Sequence, residues 1–380
     1  MTQDPSTTYP LTDGLQAPLT PKKTRTQEVW RMLCANRLAL LGLIIFLMFF
    51  AVAVAGLFLT SGKHPVFDPA MVRLQEKLRP PLSRPRADIL TPEQLPTLGM
   101  YVFGTDDLGR DVFSRMLQGA WVSLTVGFVA VGISVIVGVF MGGLAGYYGN
   151  SFVRLGHVGL VAFLFSSAIL LLFNHPIGAV FVILAALLAG YGTIKGKPGF
   201  AVPLMSIDTL IMRTVDIMLC FPSFFLILTV VALLPASMYN IMIVIGLTSW
   251  MGAARFVRAE FLSLREQDFV MAARALGLKD LRIIFRHMMP NALGPVLVSA
   301  TIGIAGAILT EAGLSFLGFG VPPPHATWGN ILSDGKRFIF DAPWLTFIPG
   351  IAILIVVLAF NLFGEGLREI LNPKLRERSL

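Results

Sequence analysis

From Leu38 to Leu59 the chain runs without one charged side chain, and stretches of the same kind recur down its length. An apolar run of about 20 residues matches the roughly 30 Å hydrocarbon core of a bilayer. Within lipid, only a helix or a closed barrel satisfies every backbone donor and acceptor. The alternation of a barrel strand is missing, and Leu, Ile, Val and Ala run on unbroken, so the stretches read as spanning helices. With 55% hydrophobic residues, 14% charged residues and a mean hydropathy of +0.74, a soluble globule of 380 residues is excluded. The sequence predicts an all-α integral membrane protein, a polytopic helical bundle.

A formal net charge of +8 could suggest nucleic acid, but the Lys and Arg residues cluster beside the ends of apolar stretches. That placement is the positive-inside signature of a multi-pass protein in a bilayer, with no nucleic-acid partner. Lys22, Lys23, Arg25, Arg31 and Arg37 precede the first apolar run, and Arg368, Lys374, Arg376 and Arg378 follow the last. Both termini are therefore expected in the cytoplasm. The first run is too long for a signal-peptide core and is expected to stay attached as an anchor. Cys34 and Cys220 lie far apart in or beside apolar sequence and read as packing residues.

Residues 1–29, rich in Pro, Thr and Gln, are expected to form a disordered cytoplasmic tail, and 30–60 to hold the first spanning helix. Residues 61–118 form an external loop, because seven prolines between Pro65 and Pro96 forbid long helices. A core over 119–366 follows, then a cytoplasmic tail over 367–380. Within the core, helix two is expected at Trp121–Tyr147, three at Ile207–Leu234, four at Ile241–Val257, five at Leu293–Thr310 and six at Leu345–Leu362. Gly138, Gly142 and Gly146 stand four apart on helix two, a spacing that lets a neighbouring helix approach closely. Residues 151–206 hold two further apolar runs parted by Asn174-His175-Pro176, read as an inserted hairpin from about Leu155 to Tyr191. Glu311 to Trp344 reads as an external connection with little regular helix. With both ends inside, the number of spans must be even, and about eight satisfies this.

No enzymatic constellation emerges. Gly192-Thr-Ile-Lys-Gly196-Lys197-Pro198 has the wrong glycine spacing for a phosphate loop and a proline where a hydroxyl should bind Mg²⁺. His64, His157, His175, His287 and His325 show no ligand spacing, so no metal is expected. Ionisable residues in spans are functional candidates, because a charge at the bilayer centre costs about 2.5–3.5 kcal/mol. Arg213 and Asp216, three apart near the inner end of helix three, are candidates for a local ion pair or a gate. Glu311, at the outer end of helix five, is a candidate for contact with the external loop or for a relay.

The segment 255–291 is the strongly basic block enclosed by membrane-grade sequence, and its charge places it in the cytoplasm. Ala272-Ala273-Arg274-Ala275-Leu276 favours a helix and Gly277 is placed to stop it. Such a helix either lies flat on the headgroups or projects as a knob onto which a soluble partner docks.

Several blocks of the chain resemble, in order, the inner-membrane permeases of ATP-binding-cassette importers, specifically the C-type subunit of the dipeptide and oligopeptide branch. They include Phe103-Gly-Thr-Asp-Asp-Leu-Gly-Arg-Asp-Val-Phe-Ser-Arg115, Gly146-Tyr-Tyr-Gly149, Asp208-Thr-Leu-Ile-Met-Arg-Thr-Val-Asp216, Asp268-Phe-Val-Met-Ala-Ala-Arg-Ala-Leu-Gly277, Arg286-His-Met-Met-Pro-Asn291 and Glu311-Ala-Gly-Leu-Ser-Phe-Leu-Gly318. The resemblance implies the type I importer fold and a non-catalytic subunit that imports short peptides across the bacterial inner membrane. It implies a second permease as heterodimer partner, two ATPase subunits that carry the ATP and Mg²⁺, and an extracytoplasmic solute-binding protein. Asp268, Phe269, Met271, Ala272, Ala273, Arg274, Gly277, His287 and Pro290 would form the ATPase-coupling loop. Met271 stands where the family's coupling motif has a glutamate, so a charge contact to the ATPase would be either absent, with docking resting more on apolar packing, or supplied by Glu266 or Asp268. The hairpin within 151–206 departs from the family pattern. Nickel chelates or oligosaccharides are alternative cargoes, and a stand-alone secondary transporter or channel is the alternative of another class.

Overall fold

The computed structural model describes residues 25–62, 64–149, 151–154 and 203–371, together with 180, 182–184, 186, 187 and 191. Most of the N-terminal tail, nearly all of the expected hairpin and the last nine residues lie outside these. Among the described residues five helices are long and apolar enough to cross a membrane: Arg37–Thr60, Val112–Tyr147, Met238–Arg265, Asp280–Phe316 and Trp344–Ile370. A sixth is Ile207–Leu219 with Ser223–Leu233, bent by 83° at the break. The other two of the expected eight fall in the hairpin, outside the described residues.

Helix α1 (Arg25–Ala35) leads into α2 (Arg37–Thr60), which Asn36 caps by accepting from the Ala39 amide at 3.1 Å. Helix α3 (Val112–Tyr147) starts nine residues before the expected Trp121, because Asp111 caps it by accepting from the Ser114 amide at 3.1 Å. Expected helix three is not one helix but two, α4 (Ile207–Leu219) and α5 (Ser223–Leu233). Pro222 lacks a donor, and the chain turns at Cys220-Phe221-Pro222. Helix α6 (Met238–Arg265) follows, then short α7 (Asp268–Ala275), α8 (Met289–Phe316), α9 (Trp328–Gly335) and α10 (Trp344–Leu371). The connection after Glu311 therefore holds more helix than expected: α8 runs to Phe316, and α9 is started by a Thr327/Asn330 capping box.

The closest pairing in the bundle is α3 with α6, and glycine is the cause. A Cβ on Gly138 would lie 2.5 Å from the Ala253 Cβ, one on Gly142 2.3 Å from the Ala254 carbonyl oxygen, and one on Gly146 2.5 Å from the Phe261 Cβ. The three-glycine stripe read from the sequence is thus the seam on which α6 lies. A two-stranded antiparallel ladder, β1 (Phe152–Arg154) with β2 (Pro203–Ser206), holds the two ends of the inserted segment side by side. An insertion whose ends meet leaves the course of the later helices unchanged.

Candidate functional site

Helix α7 projects from one end of the bundle between α6 and α8. Asp268 lies in its first turn and Arg274 in its last, each on the side the helix dipole favours. Gly277, at φ +70, closes it: its amide donates to the Arg274 carbonyl at 2.9 Å, and the Leu278 amide donates to the Ala273 carbonyl at 3.2 Å. Val270 and Ala273 face inward and pack with Val257, Phe261, Ile283, Ile284 and Met288. Phe269, Met271 and Ala272 face outward, and Leu276 beyond the last turn is 81% exposed. Leu281 and Phe285, 66% and 61% exposed, extend this apolar surface along the next turns.

Two tyrosines strap the knob to the end of α3. The Tyr147 hydroxyl donates to one Asp280 carboxylate oxygen at 2.7 Å and the Tyr148 hydroxyl to the other at 3.2 Å. The Arg274 guanidinium sits 5.0 Å over the Tyr147 ring. Burial and then the Asp280 carboxylate raise the Tyr148 phenol above its ordinary value, so it stays a donor. Asp280 opens a turn that widens into a π-helical stretch, Ile283–Met288, just before Pro290. Pro290 cannot donate, and its ring crowds the carbonyl four residues back, so the helix opens there. The Asn291 side chain fills in, donating to the His287 carbonyl at 2.7 Å.

The other sequence candidates are placed as follows. Arg213 stands 3.9 Å from Asp216, but the stronger partner of Asp216 is Arg255 on α6, at 2.6 Å. Beside it Arg258 grips both carboxylate oxygens of Asp208. Glu311 is fully buried near the opposite end of the bundle, accepting from the Ser315 hydroxyl at 2.7 Å. It does not join Arg213 and Asp216.

At that opposite end, the loop Gly104–Asp111 and the first turn of α3 fold around Asp106, whose buried carboxylate accepts from the Leu108 and Arg110 amides at 2.9 and 2.8 Å. Arg110 Nε and Arg115 Nη1 also donate to it, at 2.6 and 2.5 Å, and both arginines reach Asp334 on α9, at 3.2 and 2.9 Å. Burial, then the Asp106 and Asp334 carboxylates, raise Asp107 above the usual carboxylate range. A cavity of about 460 Å³ opens between this loop, the Gly318–Ala326 turn and α9. Among the described residues no three His, Cys, Asp or Glu side chains converge as a metal site.

Residues 199–377 match the model of the binding-protein-dependent transport system inner membrane component, and residues 24–81 that of the N-terminal TM domain of oligopeptide transport permease C. The chain is 37% identical over 350 residues to the dipeptide transport system permease protein of Alkalihalophilus pseudofirmus, covering 92% of this chain and 90% of the relative. The chain belongs to this family of transport permeases. The oligopeptide transport system permease protein of Bacillus subtilis is 31% identical over 343 residues, 90% of this chain and 88% of the relative. A di/tripeptide transport system permease protein of Pseudomonas aeruginosa is 34% identical over 276 residues, 73% of each. As a permease of this family, the chain carries Asp280, Tyr147, Tyr148, Asp208, Arg255 and Arg258 as candidate functional residues that the sequence did not single out. The tyrosines, Asp208 and Asp216 fall in blocks that carried the resemblance. Their partners, up to 133 residues away, have no local signal.

Proposed function

We propose that this chain is the membrane-spanning subunit of an ATP-driven importer that passes short peptides inward across the bacterial inner membrane. It pairs with a second permease, the pair assembles with two ATPase subunits, one of them docking on this chain at the α7 end, and an extracytoplasmic solute-binding protein meets the α9 end. The α7 end and both termini face the cytoplasm; the basic residues gathered there, Arg265, Arg274, Lys279, Arg282, Arg286 and Arg368, support that orientation. The chain itself catalyses nothing, and the ATP and Mg²⁺ sit on the ATPases.

The observation that carries this reading is α7: a short helix anchored by Val270 and Ala273 that turns Phe269, Met271 and Leu276 outward at a bundle end. Apolar side chains held out by a rigid mount, beyond the spans, are the surface a soluble partner covers. With Met271 in the acidic position and Glu266 already 3.1 Å from Arg265, that contact is mainly apolar. Names of the relatives support peptides as the cargo.

Reconstitution with candidate ATPases, a second permease and a binding protein tests the reading. Uptake of labelled di- and oligopeptides into proteoliposomes requires ATP and every subunit. Uptake by this chain alone without ATP would make it a stand-alone transporter, and nickel chelate or oligosaccharide uptake without peptide uptake would change the cargo.

A further inference from the structure

Helix α4 lies on α3 and α6 over a small apolar cluster, with two ion pairs to α6 beside it. Val215 packs with Trp250, Met251 and Ala254 as a separate buried cluster, with Met212 and Met218 against it. On α6 both ion pairs lie C-terminal to that cluster: Arg255 holds Asp216, next to Val215, at 2.6 Å, and one turn on Arg258 holds both oxygens of Asp208. The two acidic residues are spaced along α4 so that both reach α6 at once, which fixes the crossing in register as well as in distance. These side chains are between 23% and 50% exposed, so the pairs sit at the bundle's edge rather than in its core.

The far end of α4 is built in the opposite way. At Cys220-Phe221-Pro222 the chain bends by 83°, Pro222 contributes no donor, and Phe221 is 59% exposed. Beyond the bend, α5 carries no charged residue with which to pair. The half-span is thus held to α6 by ion pairs on one side of the bend and by apolar packing of Ile227 and Val231 on the other. Helix α6, in turn, passes into α7 through only Glu266 and Gln267.

We propose that Asp208–Arg258 and Asp216–Arg255 are positioning pairs that clamp α4 to α6, so that α4 travels with α6 and α7 as one body. Motion delivered to α7 then reaches the α4–α5 wall through α6, not through lipid-exposed contacts. This inference rests on the coupling role proposed above for α7.

The test uses the assembled transporter in proteoliposomes, read as peptide transported per ATP hydrolysed. Asp208→Arg and Arg258→Asp singly should each lower that ratio at least tenfold while the ATPases still co-purify and hydrolyse ATP. The double variant, with the charges exchanged, should recover at least half of it. Assembled singles that transport within twofold of the parent, or an assembled double without recovery, would overturn the clamp. If a single variant fails to assemble, cross-linking decides. Val215→Cys with Ala254→Cys, oxidised to a disulfide with copper phenanthroline after Cys34 and Cys220 are replaced by Ser, should transport as before, because the two helices never part. A cross-link that stops transport would overturn the proposal. Failure of the underlying coupling role looks different: Gly277→Asp would then transport normally whatever the clamp variants do.

Discussion

The two ends of the bundle handle charge and apolar surface in opposite ways. At the α9 end Asp106 is sealed from solvent under four donated hydrogen bonds, and Arg115, 4% exposed, is shared between Asp106 and Asp334. At the α7 end the ion pairs are half open to solvent, and large apolar side chains stand outside. A buried, fully partnered charge network tolerates one geometry only, since removing any member strands a charge in low dielectric. Exposed apolar side chains on a short helix impose almost nothing on their own fold and await a partner. One end is built to keep its shape, the other to be held.

If that contrast is right, substitutions at the two ends must separate in stability. The largest loss is expected for Asp106→Ala, about 3–5 kcal/mol, because Arg110 and Arg115 lose their common buried partner; thermal unfolding in detergent reads it. Gly142→Leu, in the seam between the ends, should cost about 3 kcal/mol by the same assay, since even a Cβ would meet the Ala254 carbonyl oxygen at 2.3 Å. Asp280→Ala frees both tyrosine hydroxyls and should cost about 1 kcal/mol, seen as faster amide exchange confined to α7 and its neighbours.

A pH titration sharpens the α9 side. Burial pushes Tyr101 from 10.0 up to about 12, with Arg73 opposing the shift. The unfolded phenol ionises first, so between about pH 10 and 12 the unfolded chain holds fewer protons and stability falls as pH rises. Tyr101→Phe should remove that part of the alkaline loss and leave the protein unaffected at pH 7. The smallest effect on folding belongs to Leu276→Ala: within about 0.5 kcal/mol of the parent, because a side chain 81% exposed leaves little behind. A large loss there would erase the contrast.

Apolar run length alone made the membrane fold legible, and the Gly138/Gly142/Gly146 stripe foretold the seam on which α6 lies. Helix α7 and its stop at Gly277 were also legible, because alanine-rich sequence ending in glycine is a local signal. The break in α4–α5 was hidden: the last charge of the segment is Asp216, the run from Ile217 to Leu234 is almost wholly apolar, and one proline inside such a run does not tell a kink from an 83° turn. Asp280 and Arg258 were hidden for a different reason. Each sits in a charged stretch where any acid or base could pair, and only the packing of α3, α4 and α6 chooses Tyr147 and Asp208 as their partners. Asp216 was read with its neighbour Arg213, a helix-face rule that α6 overrides by bringing Arg255 closer.

Under the proposed function, the ATPases hold the outward face of α7. Leu276→Asp places a charge on that face without touching the buried Val270 and Ala273 anchors, so co-purification of the ATPase subunits with this variant tests it most directly. The account predicts that the ATPases are lost from the complex while the permease unfolds at the parent's temperature. Recovery of the ATPases at the parent's level, with the permease equally stable, would contradict it.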